Sequence, residues 1–186
     1  MTYDLLLFGH LAVLVLTFTL AGAVHAAEYQ LPGAVSVAAF RQSLKPFALS
    51  PGFVVAVVVL FLLGMALLGQ SSERFDVGDP FVWTSFPVLA ALLLDGPLIL
   101  DRHAASLRAA AAVAAEGPVP ADLRALALTA RTWRISHLNT VLVIGVVFNM
   151  TVKPGVSGCV GALVVAAVLG TGLGQLLCAR ATARTA

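Results

Sequence analysis

The sequence predicts an all-α polytopic membrane protein, a bundle of five transmembrane helices. Hydrophobic residues fill 60% of its 186 positions and charged residues only 11%. Mean hydropathy is +0.98, far outside the range of a water-exposed domain. Five apolar runs, at 5–27, 53–70, 82–100, 138–152 and 156–178, are separated by short charged segments. Most approach the roughly 20 residues that carry a helix across about 30 Å of hydrocarbon. Together they take about half of the chain, so residues 1–186 read as one helical membrane domain with no room for a second, soluble one.

The first run ends in the small residues Gly22-Ala-Val-His-Ala-Ala27, as a cleaved signal would. Its start, Met1-Thr-Tyr-Asp4, carries an acid and no Lys or Arg. That is the wrong charge for a secretory leader, so the run reads as a retained helix. Pro46 and Pro51-Gly52 punctuate the approach to the second run, and Gly78-Asp79-Pro80 the approach to the third. Within the third run, Pro97 follows Asp95-Gly96 and removes a helical hydrogen bond, leaving the Leu93 carbonyl without its usual donor. Residues 104–115 are Ala-rich and predict a helix, broken at Gly117-Pro118 and Pro120. Beyond Asp122, Leu123, Leu126, Ala127, Ala130 and Trp133 recur at helical spacing. They predict a helix at headgroup level or an extension of the fourth span. Trp133, Trp83 and Tyr29 read as interfacial anchors. Lys153-Pro154-Gly155 makes the turn into the fifth run. There Gly170-Thr-Gly-Leu-Gly174 is a GxxxG match that lets helices approach closely. It serves either packing within the chain or a homo-oligomer face, or a partner in a membrane complex.

Five spans place the connections alternately on two sides. One side receives Arg41, Lys45, Arg102, Arg108, Arg124, Arg131, Arg134, Arg180 and Arg184, nine of the eleven basic residues. The other has Arg74 and Lys153. The excess of Lys and Arg marks the cytoplasmic face, so the N-terminus is expected outside and the C-terminus inside, in a bacterial inner membrane. A net charge of +2, dispersed rather than patched, gives no basis for nucleic-acid binding. Cys159 and Cys178 lie nineteen residues apart in one run, about 28 Å along a helix, too far to pair. Neither belongs to a CxxC motif.

Four histidines and one acid could carry chemistry. Asp95 is the one carboxylate well inside a run, and an ionisable group there is a default proton or ion site. It is expected to face the bundle interior, with His25, His137 and Arg134 as partners. His10 lies toward the outer end of the first span and His25 toward its inner end. His103 and His137 stand at the inner ends of the third and fourth. Imidazoles on different helices can hold a haem iron or a metal, or shuttle protons, which makes His10, His25 and His137 the candidate cofactor ligands. No HxxxH or ExxH spacing occurs, so no separate metal site is expected. No nucleophile motif or phosphate-binding loop is present either.

The chain resembles a family of small, uncharacterised bacterial integral membrane proteins. The likeness rests on Leu5-Leu-Leu-Phe-Gly-His10-Leu, on the basic-to-apolar passage from Arg41 through residues 53–68, and on Arg131-Thr-Trp133. The last leads into a helix closing with Asn149-Met150-Thr-Val-Lys153-Pro154. More distantly it is similar to the haem-containing membrane protoporphyrinogen oxidase and to the membrane domain of copper-resistance proteins. That resemblance implies His10 as a haem b ligand. Three roles follow as expectations: an accessory component of a membrane complex, a b-haem or metal-linked oxidoreductase using His10 and another histidine, or a small proton-coupled transporter using Asp95.

Overall fold

The computed structural model describes residues 2–71 and 74–185, and no strand occurs among them. Five helical stretches of 30 to 34 residues are long and apolar enough to cross a membrane. The first is α1 (Thr2–Gln30) with a 3-10 turn at Leu31–Gly33. A short helix α2 (Val37–Ser43) and a second 3-10 turn, Lys45–Leu49, lead into α3 (Ser50–Gln70). The third crossing is built from α4 (Pro80–Trp83), α5 (Ser85–Asp95), a π turn at Gly96–Leu100 and α6 (Asp101–Val113). Then come α7 (Ala121–Ala127), α8 (Ala130–Val152) and α9 (Val156–Thr185). The five expected spans are all present, each longer than its apolar run because the helix continues into a flanking polar segment, at both ends in the first and third and at one end in the others.

Pro97 does not break the third crossing. The chain widens into the π turn, where the Asp101 N–H reaches the Gly96 carbonyl five residues back, and the helix resumes. A π turn is one of the ways a helix absorbs an inserted disruption without ending.

α8 packs most extensively on α9 and α1 on α3, while α5 touches both α3 and α8. The close α8–α9 approach depends on the GxxxG pair. A Cβ added to Gly170 would lie 2.7 Å from the Leu138 Cα, and one added to Gly174 would lie 2.8 Å from the Arg134 Cα. The pair therefore faces α8 inside the protomer and is not available to a second copy. Gly172, between them, has open space around it. Leu169, Val168, Leu62, Val15 and Phe8 remain exposed, as apolar side chains in contact with lipid are.

The basic end of the bundle is a packed cap. Ala27, Leu31, Phe40, Leu44, Leu107, Ala111, Leu123 and Ala127 form one buried cluster drawn from α1, α2, α6, α7 and their turns. Ser36 caps α2, its hydroxyl accepting from the Ala39 N–H at 3.2 Å. Arg41, on α2, closes the C-terminal end of α6. Its Nε donates to the Ala111 carbonyl and its Nη2 to the Ala114 carbonyl, both at 2.9 Å, while Nη1 pairs with Glu116. A cation at a helix C-terminus satisfies orphan carbonyls and meets the negative end of the dipole. Replacing Arg41 with Ala is expected to cost about 2 kcal/mol, with Lys recovering little because one ammonium cannot span both carbonyls. Faster hydrogen exchange at the Val37 amide, which donates to Gly117 at 2.9 Å, would register the loosened cap.

Trp133 is not an interfacial anchor. It is 1% exposed, and its indole N–H donates to the Ala127 carbonyl at 2.9 Å. The α7–α8 break at Leu128–Thr129 leaves that carbonyl free to accept, and α9 covers the ring. Trp83 and Tyr29 stay exposed near helix ends.

Candidate functional site

Two helices bring three ionisable side chains together just inside the basic end. From α1 come His25 and Glu28, one turn apart and therefore on one face. From α8 comes His137. One ligand atom from each lies within 4.8 Å of the others. Glu28 is 5% exposed and His137 7%. Burial at this depth is costly for a carboxylate, and no Lys or Arg pairs with Glu28 among the described residues. Its neighbours are the two imidazoles and a hydroxyl. His25 Nδ1 lies 3.3 Å from Glu28 Oε2, the Ser136 hydroxyl donates to the same oxygen at 3.1 Å, and His137 Nδ1 is 4.0 Å away.

The hydrogen bonds fix much of the protonation pattern. His137 Nδ1 is 2.9 Å from the Trp133 carbonyl, which can only accept, so that nitrogen carries the hydrogen and Nε2 keeps its lone pair. That hydrogen bond fixes the ring, and the nitrogen it holds is also the one 4.0 Å from Glu28. Trp133 stacks on the ring with an interplanar angle of 6° at 6.1 Å and holds it from the other side.

His25 has two complete arrangements. Its Nε2 is 2.8 Å from the Thr140 hydroxyl, which also lies 3.3 Å from the Ser136 carbonyl. With Thr140 donating to Nε2, a neutral His25 donates from Nδ1 to Glu28. With Thr140 turned to the Ser136 carbonyl, a doubly protonated His25 donates from both nitrogens. Either way no group is left unpaired. Rotation of one hydroxyl thus lets the same geometry serve either arrangement.

The His25 and His137 ring centroids are 4.3 Å apart with a 38° tilt. That leaves no room for a porphyrin between them, but it suits a single ion. A tetrahedral ion with ligands at about 2.0–2.1 Å sets neighbouring ligand atoms about 3.4 Å apart, so side-chain rotations of modest size would close the set. A cavity of about 70 Å³ borders the cluster on the α3 and α6 side, walled by His25, Ser136, Asn139 and Thr140. Asn139 Oδ1 is buried there without a partner. The rest of its wall is largely apolar, from residues such as Leu20, Phe47, Phe53 and Leu100. His103, on α6, is half-buried and within electrostatic range of Glu28.

The structure thus joins two of the sequence candidates, His25 and His137, and separates the others. His10 lies fifteen residues from His25 on α1, about 22 Å along the helix, so it cannot share one haem iron with either histidine. It lines a larger apolar cavity at the opposite end, its ring against Gly64 of α3 and its Nδ1 buried without a partner. Asp95 is half-buried and makes none of the expected contacts with His25, His137 or Arg134. The carboxylate that meets the imidazoles is Glu28, from the same helix as His25. Glu28 stands just past the apolar run, where an acid reads as an ordinary interfacial charge. The His25-Ala-Ala-Glu28 spacing, the reverse of ExxH, was the available signal. Comparison with family models, with curated proteins and with solved structures gave no match.

Proposed function

We propose that this membrane protein binds a divalent first-row transition-metal ion through His25, Glu28 and His137. Two neutral imidazoles and a carboxylate are a donor set suited to Zn²⁺ and its neighbours, and three protein ligands leave a position for water or substrate. The observation that carries the reading is a buried Glu28 that pairs, among the described residues, with two imidazoles and with no Lys or Arg. A bound cation would offset the carboxylate where no Lys or Arg does. Of the three roles the sequence raises, this supports the metal-linked one, relocated from His10 to the inner cluster. An accessory role in a complex would use the same metal site, not the GxxxG face. For Asp95, the described residues offer no hydrogen-bonding partner to pass a proton to.

Titration of untagged, chelator-stripped protein with Zn²⁺ against a competing chromophoric chelator tests the assignment. One ion per chain is expected, and its loss in His25→Ala and His137→Ala. The Thr140 rotor favours a second reading, a proton-exchanging centre without metal. In that case Zn²⁺ binds no more tightly than to the two alanine variants.

The orientation completes the proposal. Nine basic residues against two support a location of the cluster at the cytoplasmic side of a bacterial inner membrane, N-terminus outside. A reporter fused after Ala186 should be active only in its cytoplasmic form. Periplasmic activity there would reverse the assignment.

A further inference from the structure

The second cavity, at the end opposite the metal cluster, has a volume of about 400 Å³ and opens between α1, α3, α5 and α8. Its wall is formed by apolar side chains such as Leu14, Phe61, Phe86, Leu89 and Val146. It falls in the 300–1,000 Å³ range of small-molecule sites. Taking about 30 Å³ per methylene, the volume a water occupies in the liquid, it admits one chain of on the order of a dozen carbons.

Among the described residues of the lining, Lys153 is the one Lys or Arg and there is no Asp or Glu. The Lys153 ammonium rests 4.2 Å from the Phe75 ring centre and 5.7 Å from that of Phe81, with the Arg74 guanidinium 5.2 Å from Phe75. Lys153 forms no ion pair with the described residues. Its backbone adds an independent observation. At the C-terminal end of α8 it adopts φ 52°, ψ 52°, and it is the one non-glycine residue with positive φ among the described residues. Helices that end this way usually place glycine there, because a Cβ is disfavoured. A residue is held in this conformation only where the surrounding structure fixes it, and such positions cluster at ligand sites.

From these observations we infer that the cavity binds a single-chain anionic amphiphile, of the fatty-acid class. The carboxylate meets Lys153 at the membrane surface. The chain runs inward along α1, past His10. An aromatic-backed ammonium facing an acid-free apolar slot matches one negative charge on one hydrocarbon tail. A two-chain lipid exceeds the volume.

The test uses the full chain in detergent, stripped of lipid, with dodecanoate as the probe and native mass spectrometry as the readout. One dodecanoate per chain is expected, and a zwitterionic dodecyl amphiphile should not displace it. Lys153→Gly removes the charge while relieving the backbone, so it keeps the fold and should weaken retention at least tenfold. Met65→Trp fills the cavity from α3 and should do the same, with circular dichroism confirming its helix content. Full retention by Lys153→Gly overturns the headgroup assignment, and retention by a folded Met65→Trp overturns the cavity as the place of the chain. Equal uptake of the zwitterionic amphiphile, or no uptake by the wild type, overturns the proposal outright.

Discussion

Gly174→Leu should lower the unfolding free energy by about 3 kcal/mol, and Gly172→Leu, two residues away, should leave it nearly unchanged. A Cβ at Gly174 would press on α8 backbone at Trp133 and Arg134, and backbone cannot rotate aside as a side chain can. A Cβ at Gly172 meets nothing within 4 Å. The two helices would have to separate to admit the larger residue, and separation shifts the segment that carries Trp133, Ser136 and His137. Gly174→Leu is therefore expected to weaken metal binding as well as stability, although no glycine touches the cluster. Thermal or denaturant unfolding in detergent, run on both variants beside the wild type, checks the contrast. Equal effects at the two positions would mean that α9 does not pack on α8 in this register.

Glu28 should divide stability from function. Glu28→Gln keeps the length of the side chain and an oxygen to accept from Ser136, while removing a buried negative charge that no Lys or Arg offsets. Its fold should be as stable as the wild type or slightly more so, since neutralising a buried charge recovers desolvation free energy. Metal affinity should fall by at least about 100-fold, more than the 10–100-fold seen when only an outer-shell partner is lost. Glu28→Ala should differ in stability, at a cost of about 1–3 kcal/mol, because it leaves Ser136 and His25 facing an empty buried space. Unfolding curves and Zn²⁺ competition on the same preparations separate the two quantities. A Glu28→Gln protein that unfolds readily but still binds metal as the wild type does would identify Glu28 as purely structural.

The five crossings were legible because hydrocarbon imposes a length and a composition that few other constraints share. The helices within the loops were legible in part. The Ala-rich α6 and the spacing of α7 showed in the sequence. The short α2 did not, because its stability comes from Arg41 reaching α6 seventy residues away and from Phe40 burying in the cap. The GxxxG pair was readable as a close approach, but which surface it approaches is a property of the folded bundle. Trp133 was misread for a general reason. A Trp near a span end usually faces the interface, and only the α7–α8 break, which frees the Ala127 carbonyl, turns it inward. The site was half legible. His25 and His137 were candidates as imidazoles on different helices, whereas Glu28 was not, because an acid just past an apolar run carries no signal until the basic end folds over it. Asp95 drew attention through its place in an apolar run and a proline turn. In the structure that proline stands in a π turn, and the carboxylate that meets the imidazoles is Glu28.

The most direct test of the metal assignment is the visible and X-ray absorption spectrum of the untagged protein loaded with Co²⁺. Tetrahedral Co²⁺ gives intense d–d bands, and the first coordination shell should contain two imidazole nitrogens and a carboxylate oxygen at about 2.0–2.1 Å. The bands should vanish in Glu28→Gln and His137→Ala and persist in His10→Ala, whose imidazole lies at the other end of the bundle. A weak six-coordinate spectrum indifferent to Glu28 and His137, or one abolished by His10→Ala, would contradict the assignment of the metal to this cluster.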